Sequence, residues 1–192
     1  MSSRGASIAG RKKFIPTDTY MTPIDAVYPL LDVEVFSDDV LEPCCGEGAI
    51  SKVLEKSGFN VKSFDIRRDE TIYGDIGVDF LNYKGQHDNI ITNPPYMIAE
   101  AFARHCLSTA TKRVALLLKL TFLESLRRKD FFKTHPPARI WVFRDRITMF
   151  PFGEERPKNS GTITYAWFVW DVGESHMPKV GWIQKRGETK WA

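Results

Sequence analysis

Cysteine is scarce in this sequence. Three residues in 192, two of them adjacent (Cys44 and Cys45), cannot build a disulfide framework, and no Cys/His cluster has zinc-site spacing. The four histidines, His87, His105, His135 and His176, are scattered, so no metal site is expected. Long hydrophobic runs are missing too: the longest strictly apolar stretches, such as Val114–Leu118 and Ala166–Trp170, are about a quarter of a membrane span. The opening Met-Ser-Ser-Arg-Gly-Ala-Ser lacks the apolar core of a secretory signal. A soluble protein of a reducing compartment, cytoplasmic and away from membranes, is the expectation. Charge of one sign is also lacking, for the net charge is only +3.

What is present is ordinary globular composition, 43% hydrophobic and 27% charged, with a rich 12% of aromatics. The length predicts a single domain able to bury its own core. Residues 1–16, small and basic, read as a flexible arm, and 17–192 as one domain. The modest net charge hides an asymmetry. Between Lys119 and Lys158 ten Lys and Arg face five Asp and Glu, which suits a phosphate-facing surface or merely a solvated one.

Hydrophobic patterning alternates between strands and helices. Thr22-Pro23 predicts a hydroxyl N-cap and a first-turn proline for a helix carrying Ile24, Val27, Tyr28 and Leu31. A short buried strand, 40–43, runs into a glycine turn and a helix with Ile50, Val53 and Leu54 inward, stopped at Gly58. Further strands are expected at 61–66, 89–92, 114–118, 140–143 and 162–170, with a less definite extended piece at 75–80. One helix carries Ile98, Phe102 and Cys106 at four-residue spacing, and Thr121–Glu124 reads as a capping box opening another that bears Arg127, Arg128 and Lys129. Near-continuous apolar strands between helices predict an α/β fold with a mostly parallel sheet covered on both faces. The last strand follows a long loop with no helix after it and is expected to insert antiparallel.

In open α/β sheets ligands bind beyond the carboxyl ends of the strands. Two motifs fall there. The first is Leu41-Glu42-Pro43-Cys44-Cys45-Gly46-Glu47-Gly48, a strand end whose glycines let the backbone approach a ligand at a helix amino terminus. Asp65, nineteen residues past Gly46 at the next strand end, stands where an acceptor for ribose hydroxyls is expected. Ser51 replaces the third glycine of the dinucleotide fingerprint, so the pattern points to nucleoside binding more generally. The second motif is Asn93-Pro94-Pro95-Tyr96, ending a strand on the same rim. Two prolines fix the backbone and remove donors, so the carbonyls around Pro94 become rigid acceptors. Asn93 adds a side-chain carbonyl and Tyr96 a flat face. Convergent acceptors beside a stacking ring suit a planar amine such as that of adenine, whose lone pair is freed as both hydrogens are accepted.

Together the two motifs resemble the class I S-adenosylmethionine-dependent methyltransferases, and among them the N6-adenine DNA methyltransferases that carry Asn-Pro-Pro-Tyr. The resemblance runs from about residue 19 to Trp170. It implies a Rossmann-like methyltransferase fold with a seven-stranded, mostly parallel sheet, helices on both faces and an antiparallel last strand. It implies that Glu42, Gly46 and Gly48 hold the methionine part of S-adenosylmethionine, with Pro43 beside them. Asp65 and Ile66 would take the ribose end, and Asp79 and Phe80 the adenine, with Asp75 a rival for Asp79. Tyr20-Met21-Thr22-Pro23 resembles the amino-terminal cofactor motif in its gamma-type position, so Tyr20 and Thr22 join the cofactor set. Asn93 and the Pro94 carbonyl would hold the target amine, followed by Pro95, with Tyr96 stacking on a flipped base.

The family usually carries a separate target-recognition domain, for which this chain has no room. Readout would then fall to Arg127, Arg128 and Lys129 and to the 144–157 loop, with Arg144, Arg146, Arg156 and the aromatics Phe150 and Phe152 as candidates. Those aromatics could equally be core, and Trp167 and Trp170 read as sheet packing. DNA is the expected partner. RNA bases or a protein glutamine amide present the same planar nitrogen, and a non-catalytic nucleic-acid-binding protein of methyltransferase-like fold is the alternative from another class. An intact Asn93–Tyr96 set and glycine turn weigh against that last reading, since a pure binder needs neither.

Overall fold

A computed structural model of the chain describes residues 18, 20–151, 162–175 and 177–185. The arm expected at 1–16, and Phe152 and Arg156, lie outside the described residues. In chain order the strands are β1 (Tyr20–Met21), β2 (Asp39–Glu42), β3 (Asn60–Asp65), β4 (Asp75–Ile76), β5 (His87–Thr92), β6 (Ala110–Lys119), β7 (Arg139–Phe143), β8 (Phe150–Pro151), β9 (Tyr165–Asp171) and β10 (Lys179–Ile183). The α-helices are α1 (Tyr28–Val33), α2 (Ala49–Lys56), α3 (Ala99–Thr109) and α4 (Lys129–Thr134).

Eight strands form one sheet in the order β10-β7-β9-β6-β5-β2-β3-β4, and β1 pairs with β8 in a separate two-stranded ladder. From β2 the chain builds outward through β3 and β4, then returns to the other side of β2 with β5 and β6. The reversal opens a crevice between the carboxyl ends of β2 and β5, where such sheets bind ligands. Strand β9 runs antiparallel to both β6 and β7. It is not the last strand and the sheet does not stop at seven, because β10 adds an eighth, parallel to β7. The sequence hides β10 behind Gly181. That glycine lies opposite Trp141, and a Cβ there would sit 2.2 Å from the indole ring.

Strand periodicity divides the core in two. Ala115 and Leu117 of β6, with Trp167 and Val169 of β9, face α1 and α2; Val114, Leu116 and Leu118, with Phe168 and Trp170, face α3 and α4. All of these are almost wholly buried, as a central strand covered on both faces demands. Trp167 donates to the carbonyl of Ala26 at 2.9 Å and Trp170 to that of His135 at 3.0 Å, so burying the indoles leaves no donor stranded. The expected packing role of both tryptophans is what the structure contains. Helix α2 keeps Ile50, Val53 and Leu54 inward and ends before Gly58, whose φ of 94° lets the chain turn into β3.

Three local expectations are corrected. Thr22 does not cap a helix: a 3-10 turn at Ile24–Ala26 precedes α1, with Pro23 at its N-cap and no side-chain cap bond. The Thr121–Glu124 capping box does not form either. The segment makes two 3-10 turns, Leu120–Leu123 and Leu126–Arg128, because Ser125 breaks the run and its hydroxyl accepts from Arg127 N at 3.1 Å. The 75–80 piece is extended only over Asp75–Ile76; Asp79 then caps a 3-10 turn at Phe80–Asn82.

Candidate active site

The glycine turn leaves β2 with Gly46 at φ 52° and Gly48 at φ 80°, a backbone that residues with a Cβ adopt at a cost. Close approach adds a second requirement at Gly48 and a tight fit at Gly46. A Cβ on Gly48 would fall 2.4 Å from the Tyr73 ring, and one on Gly46 would meet the Arg67 guanidinium at 3.2 Å. The segment after β3 thus folds back over the turn, tied by Tyr73 N to the Gly46 carbonyl at 2.9 Å.

Beneath the turn Glu42 is 1% exposed. Its carboxyl accepts from the Ser51 hydroxyl, which shares a further hydrogen bond of 2.7 Å with Ser63. Burial pushes the Glu42 pKa up to about 8, against the opposing pull of the Ser51 hydrogen bond, so the group is mostly protonated at neutral pH. Ser51 is therefore not a degraded glycine fingerprint. It is the partner that makes a buried acid tolerable, a role the sequence pattern did not reveal.

Asp65, at the end of β3, is fully engaged. One oxygen accepts from Arg67 N at 2.9 Å and Arg67 Nε at 3.2 Å; the other accepts from Gly46 N at 3.0 Å and Arg67 Nη2 at 3.4 Å. Four donors match the acceptor capacity of a carboxylate. Arg67 drew no notice in the sequence, where only the acid stood out.

At the end of β5 the Asn93 side chain is held from one side. Its Nδ2 donates to Thr22 Oγ1 at 3.0 Å and lies 3.9 Å from Met149 Sδ, while Oδ1 is buried with no hydrogen-bond partner. Tyr96 packs between Tyr20 and Tyr165, at centroid separations of 5.6 and 5.9 Å, with Lys119 Nζ 4.6 Å from its ring centre. Its hydroxyl is buried beside Asn93 and Tyr165 without hydrogen-bonding geometry to either, and burial, reinforced by Tyr165, holds its pKa well above the usual phenol range. Next along the chain, Met97 N donates to Asp18 at 2.6 Å, which pins the loop that follows the prolines.

A cleft of about 130 Å³ joins the two motifs. Its walls are Asp18, Tyr20, Cys44, Gly46, Asp65, Ile66, Arg67, Asn93, Pro94 and Pro95. The structure thus gathers half of the expected catalytic and cofactor residues into one crevice: Tyr20, Gly46, Asp65, Ile66, Asn93, Pro94 and Pro95. Burial, first of all, pushes the Cys44 thiol well up, so the sulfur at the cleft wall stays protonated. Glu42, Pro43 and Gly48 lie under or behind the cleft rather than in its wall. Asp79 spends its carboxylate on Leu81 N and Asn82, and Phe80 is 3% exposed against Phe102, 4.6 Å between centroids. Asp75 pairs with Lys62 on the outermost strand.

The basic residues divide likewise. Arg127 and Arg128 line a second hollow, of about 430 Å³, together with Tyr96, Met97, Ile98 and Arg104. Arg128 is partly committed to the fold, donating to the carbonyls of Phe122 and Glu124. Lys129 opens α4 and is exposed. Arg144 and Arg146 are exposed beyond β7, and Phe150 sits half-buried in β8, paired with Met21. Among the described residues no helix is long and apolar enough to cross a membrane.

No protein-family model and no curated protein sequence matches the chain. Solved structures do. A protein from Pyrococcus horikoshii proposed to be an RNA methyltransferase aligns at TM-score 0.59 and 16% identity, over 80% of this chain and 86% of that one. The modification subunit of a proposed type I restriction enzyme from Vibrio vulnificus aligns at 0.57 and 14%, over 88% and 47%. Magnesium protoporphyrin IX methyltransferase from Synechocystis, solved with S-adenosylmethionine bound, aligns at 0.52 and 18%, over 78% of each chain. At such identities the likeness is one of fold, and the fold of this chain is the Rossmann-like fold of the methyltransferases.

Proposed function

We propose that this chain is an S-adenosylmethionine-dependent methyltransferase whose target is the exocyclic N6 amine of adenine in DNA. The observation that carries the reading is the Asn93 amide: its nitrogen is tied down and its buried oxygen is left without a partner beside two prolines. A buried acceptor left open costs about 1–3 kcal/mol, so its retention calls for a ligand that donates to it. An adenine amine does so.

The lining of the cleft also suits the cofactor in kind. Asp65 and Ile66 stand at the end of β3 and Gly46 offers its backbone, all in one crevice with Asn93. When bound there, S-adenosylmethionine supplies an electrophilic methyl group. Asn93 Oδ1 and the Pro94 carbonyl would accept the two amine hydrogens, bending the nitrogen toward tetrahedral geometry and stabilising the positive charge that develops on it. The protonated Cys44 thiol at the cleft wall offers no competing nucleophile. No strong base is required, because the proton lost after transfer is acidic and can leave to water. The 430 Å³ hollow beside Tyr96, with Arg104, Arg127 and Arg128 around it, is the surface we assign to the nucleic-acid backbone.

Nucleoside mass spectrometry after incubation with S-adenosylmethionine and unmethylated DNA, and separately bulk RNA, tests this reading. N6-methyladenine should appear in DNA and fall by about a hundredfold or more with Asn93→Ala, the size of effect seen when one positioned polar group is removed from an active site. Methylated bases only in RNA would move the substrate. None in either pool, with cofactor binding intact, would favour a protein amide or a non-catalytic binder.

A further inference from the structure

Asn-Pro-Pro-Tyr does not by itself decide which way the Asn93 amide faces. Turned by half a rotation about its last bond, a carboxamide exchanges an acceptor for a donor at almost no change in shape. Only one orientation receives an amine. Two contacts from outside the strand-end loop reach Nδ2: Thr22 Oγ1 accepts from it at 3.0 Å, and Met149 Sδ lies 3.9 Å from it. A hydroxyl can donate as well as accept, so Thr22 anchors the amide, and the thioether, an acceptor only, favours nitrogen over oxygen at that position.

These residues lie 71 and 56 positions from Asn93 in the chain. They arrive together because β1 and β8 pair antiparallel, Tyr20 opposite Pro151 and Met21 opposite Phe150. Thr22 directly follows the paired residue Met21, and Met149 directly precedes its partner Phe150. The hydroxyl is not used as a helix cap, since the 3-10 turn after it begins at Pro23 with no side-chain cap bond. In this structure the Thr22 hydroxyl is instead hydrogen-bonded to the Asn93 side chain.

We infer that the two-stranded ladder β1–β8 is a clamp on the Asn93 amide, with Thr22 as the positioning residue that holds the amide in place and the Met149 sulfur favouring the orientation that leaves Oδ1 toward the target amine. The inference rests on the reading of Asn93 as the amine acceptor, and it takes Thr22 out of the cofactor set. The hydroxyl oxygen accepts from Nδ2; a flip would instead set the amide oxygen against Met149 sulfur and point a donor at the incoming amine. Thr22 needs no contact with substrate to act in this way.

Thr22→Val removes the acceptor while keeping the branched shape. The expected result is kcat for adenine methylation about ten- to hundredfold lower, the scale found for partners that orient a working side chain. KM and Kd for S-adenosylmethionine should stay within about twofold, and Thr22→Ser should recover most of the rate. A second readout needs no turnover. In the substrate-free protein, the Asn93 side-chain amide resonance, assigned by its loss in Asn93→Ala, should shift and exchange faster in Thr22→Val than in the unaltered chain. If Thr22→Val does not fold, Thr22→Ala serves the same comparison. A loss of S-adenosylmethionine affinity with kcat unchanged would overturn the inference in favour of a cofactor contact. So would an Asn93 resonance indifferent to residue 22. Absence of any methylation by the unaltered chain would undo the proposed function instead, and the resonance would still report on the clamp.

Discussion

The two ends of the sheet treat their polar groups in opposite ways. At the amino-terminal ends of the parallel strands, Glu34 accepts from Arg139 and from the Trp141 indole and pairs with Arg113, while Asp171 accepts from both arginines. Nearby, Asp39 accepts from Asp88 N and is hydrogen-bonded to His87, and Asp88 accepts from Ser37, Thr111 and Lys112. At the carboxyl-terminal ends, Thr92 Oγ1, Asn93 Oδ1 and Tyr96 OH are buried without a hydrogen-bond partner, all within five consecutive residues. Where polar groups only hold the fold, they are matched. Where a ligand is to be received, the fold tolerates unmatched acceptors at a cost of about 1–3 kcal/mol each.

If the amino-terminal end is purely structural, damage there should cost stability and leave the chemistry alone. Arg139→Met is the most severe test. It strips Glu34, whose side chain is 3% exposed, of a charged partner and leaves it Arg113 and Trp141 among the described residues. A loss of about 2–3 kcal/mol is expected, below the full value for breaking a buried pair because Arg113 remains. Melting should fall by about 2–4 °C for each kcal/mol. Methylation per folded molecule should be unchanged within about twofold. A fall in turnover at unchanged stability would sink the division between the two ends.

The acid beneath the glycine turn gives a test that pH can read. Glu42 has its folded pKa raised to about 8 from an ordinary 4.5, so between those values the folded chain holds a proton that the unfolded chain has released. Stability from this group is complete below about pH 4.5 and is lost as pH rises through about 8. Glu42→Gln keeps a neutral side chain able to bond Ser51. It should flatten that fall, matching the unaltered chain near pH 5 and exceeding it near pH 9 in chemical denaturation. Parallel curves for the two proteins across this range would show that the carboxyl is ionised in the fold.

Much of this was legible in the sequence, and the gaps have physical causes. Runs such as 114–118, both crevice motifs and Asp65 announce themselves because backbone demands and burial leave few residue choices there. The Ser125 break was hidden by a capping pattern that competes with it locally. Strand β10 was hidden because the Gly181 that weakens its pattern is required by a tryptophan three strands earlier in the chain. Ser51, Arg67 and Met149 could not be found from spacing at all. Each acts on a partner from another element, and a side chain that matters only through such a contact leaves no local signature. Thr22 shows the same limit from the other side: its motif was visible, and its partner was not.

Arg67 and Asp65, like Ser51 and Glu42, depart from the contrast as a matched pair at the carboxyl-terminal end, and Arg67 supplies the test with the smallest expected effect. Its guanidinium makes two of the four hydrogen bonds on Asp65, and the other two come from backbone N–H groups. A ribose hydroxyl can be accepted by Asp65 only where a donor has withdrawn, and the side chain is the one able to move. Arg67→Ala should therefore tighten S-adenosylmethionine binding, by about two- to tenfold, the equivalent of one hydrogen bond that no longer has to be broken. Titration calorimetry on the substrate-free protein reads this directly. Weaker binding in the variant would mean that the guanidinium holds the cofactor, and that the pair with Asp65 is a waiting position rather than a competitor.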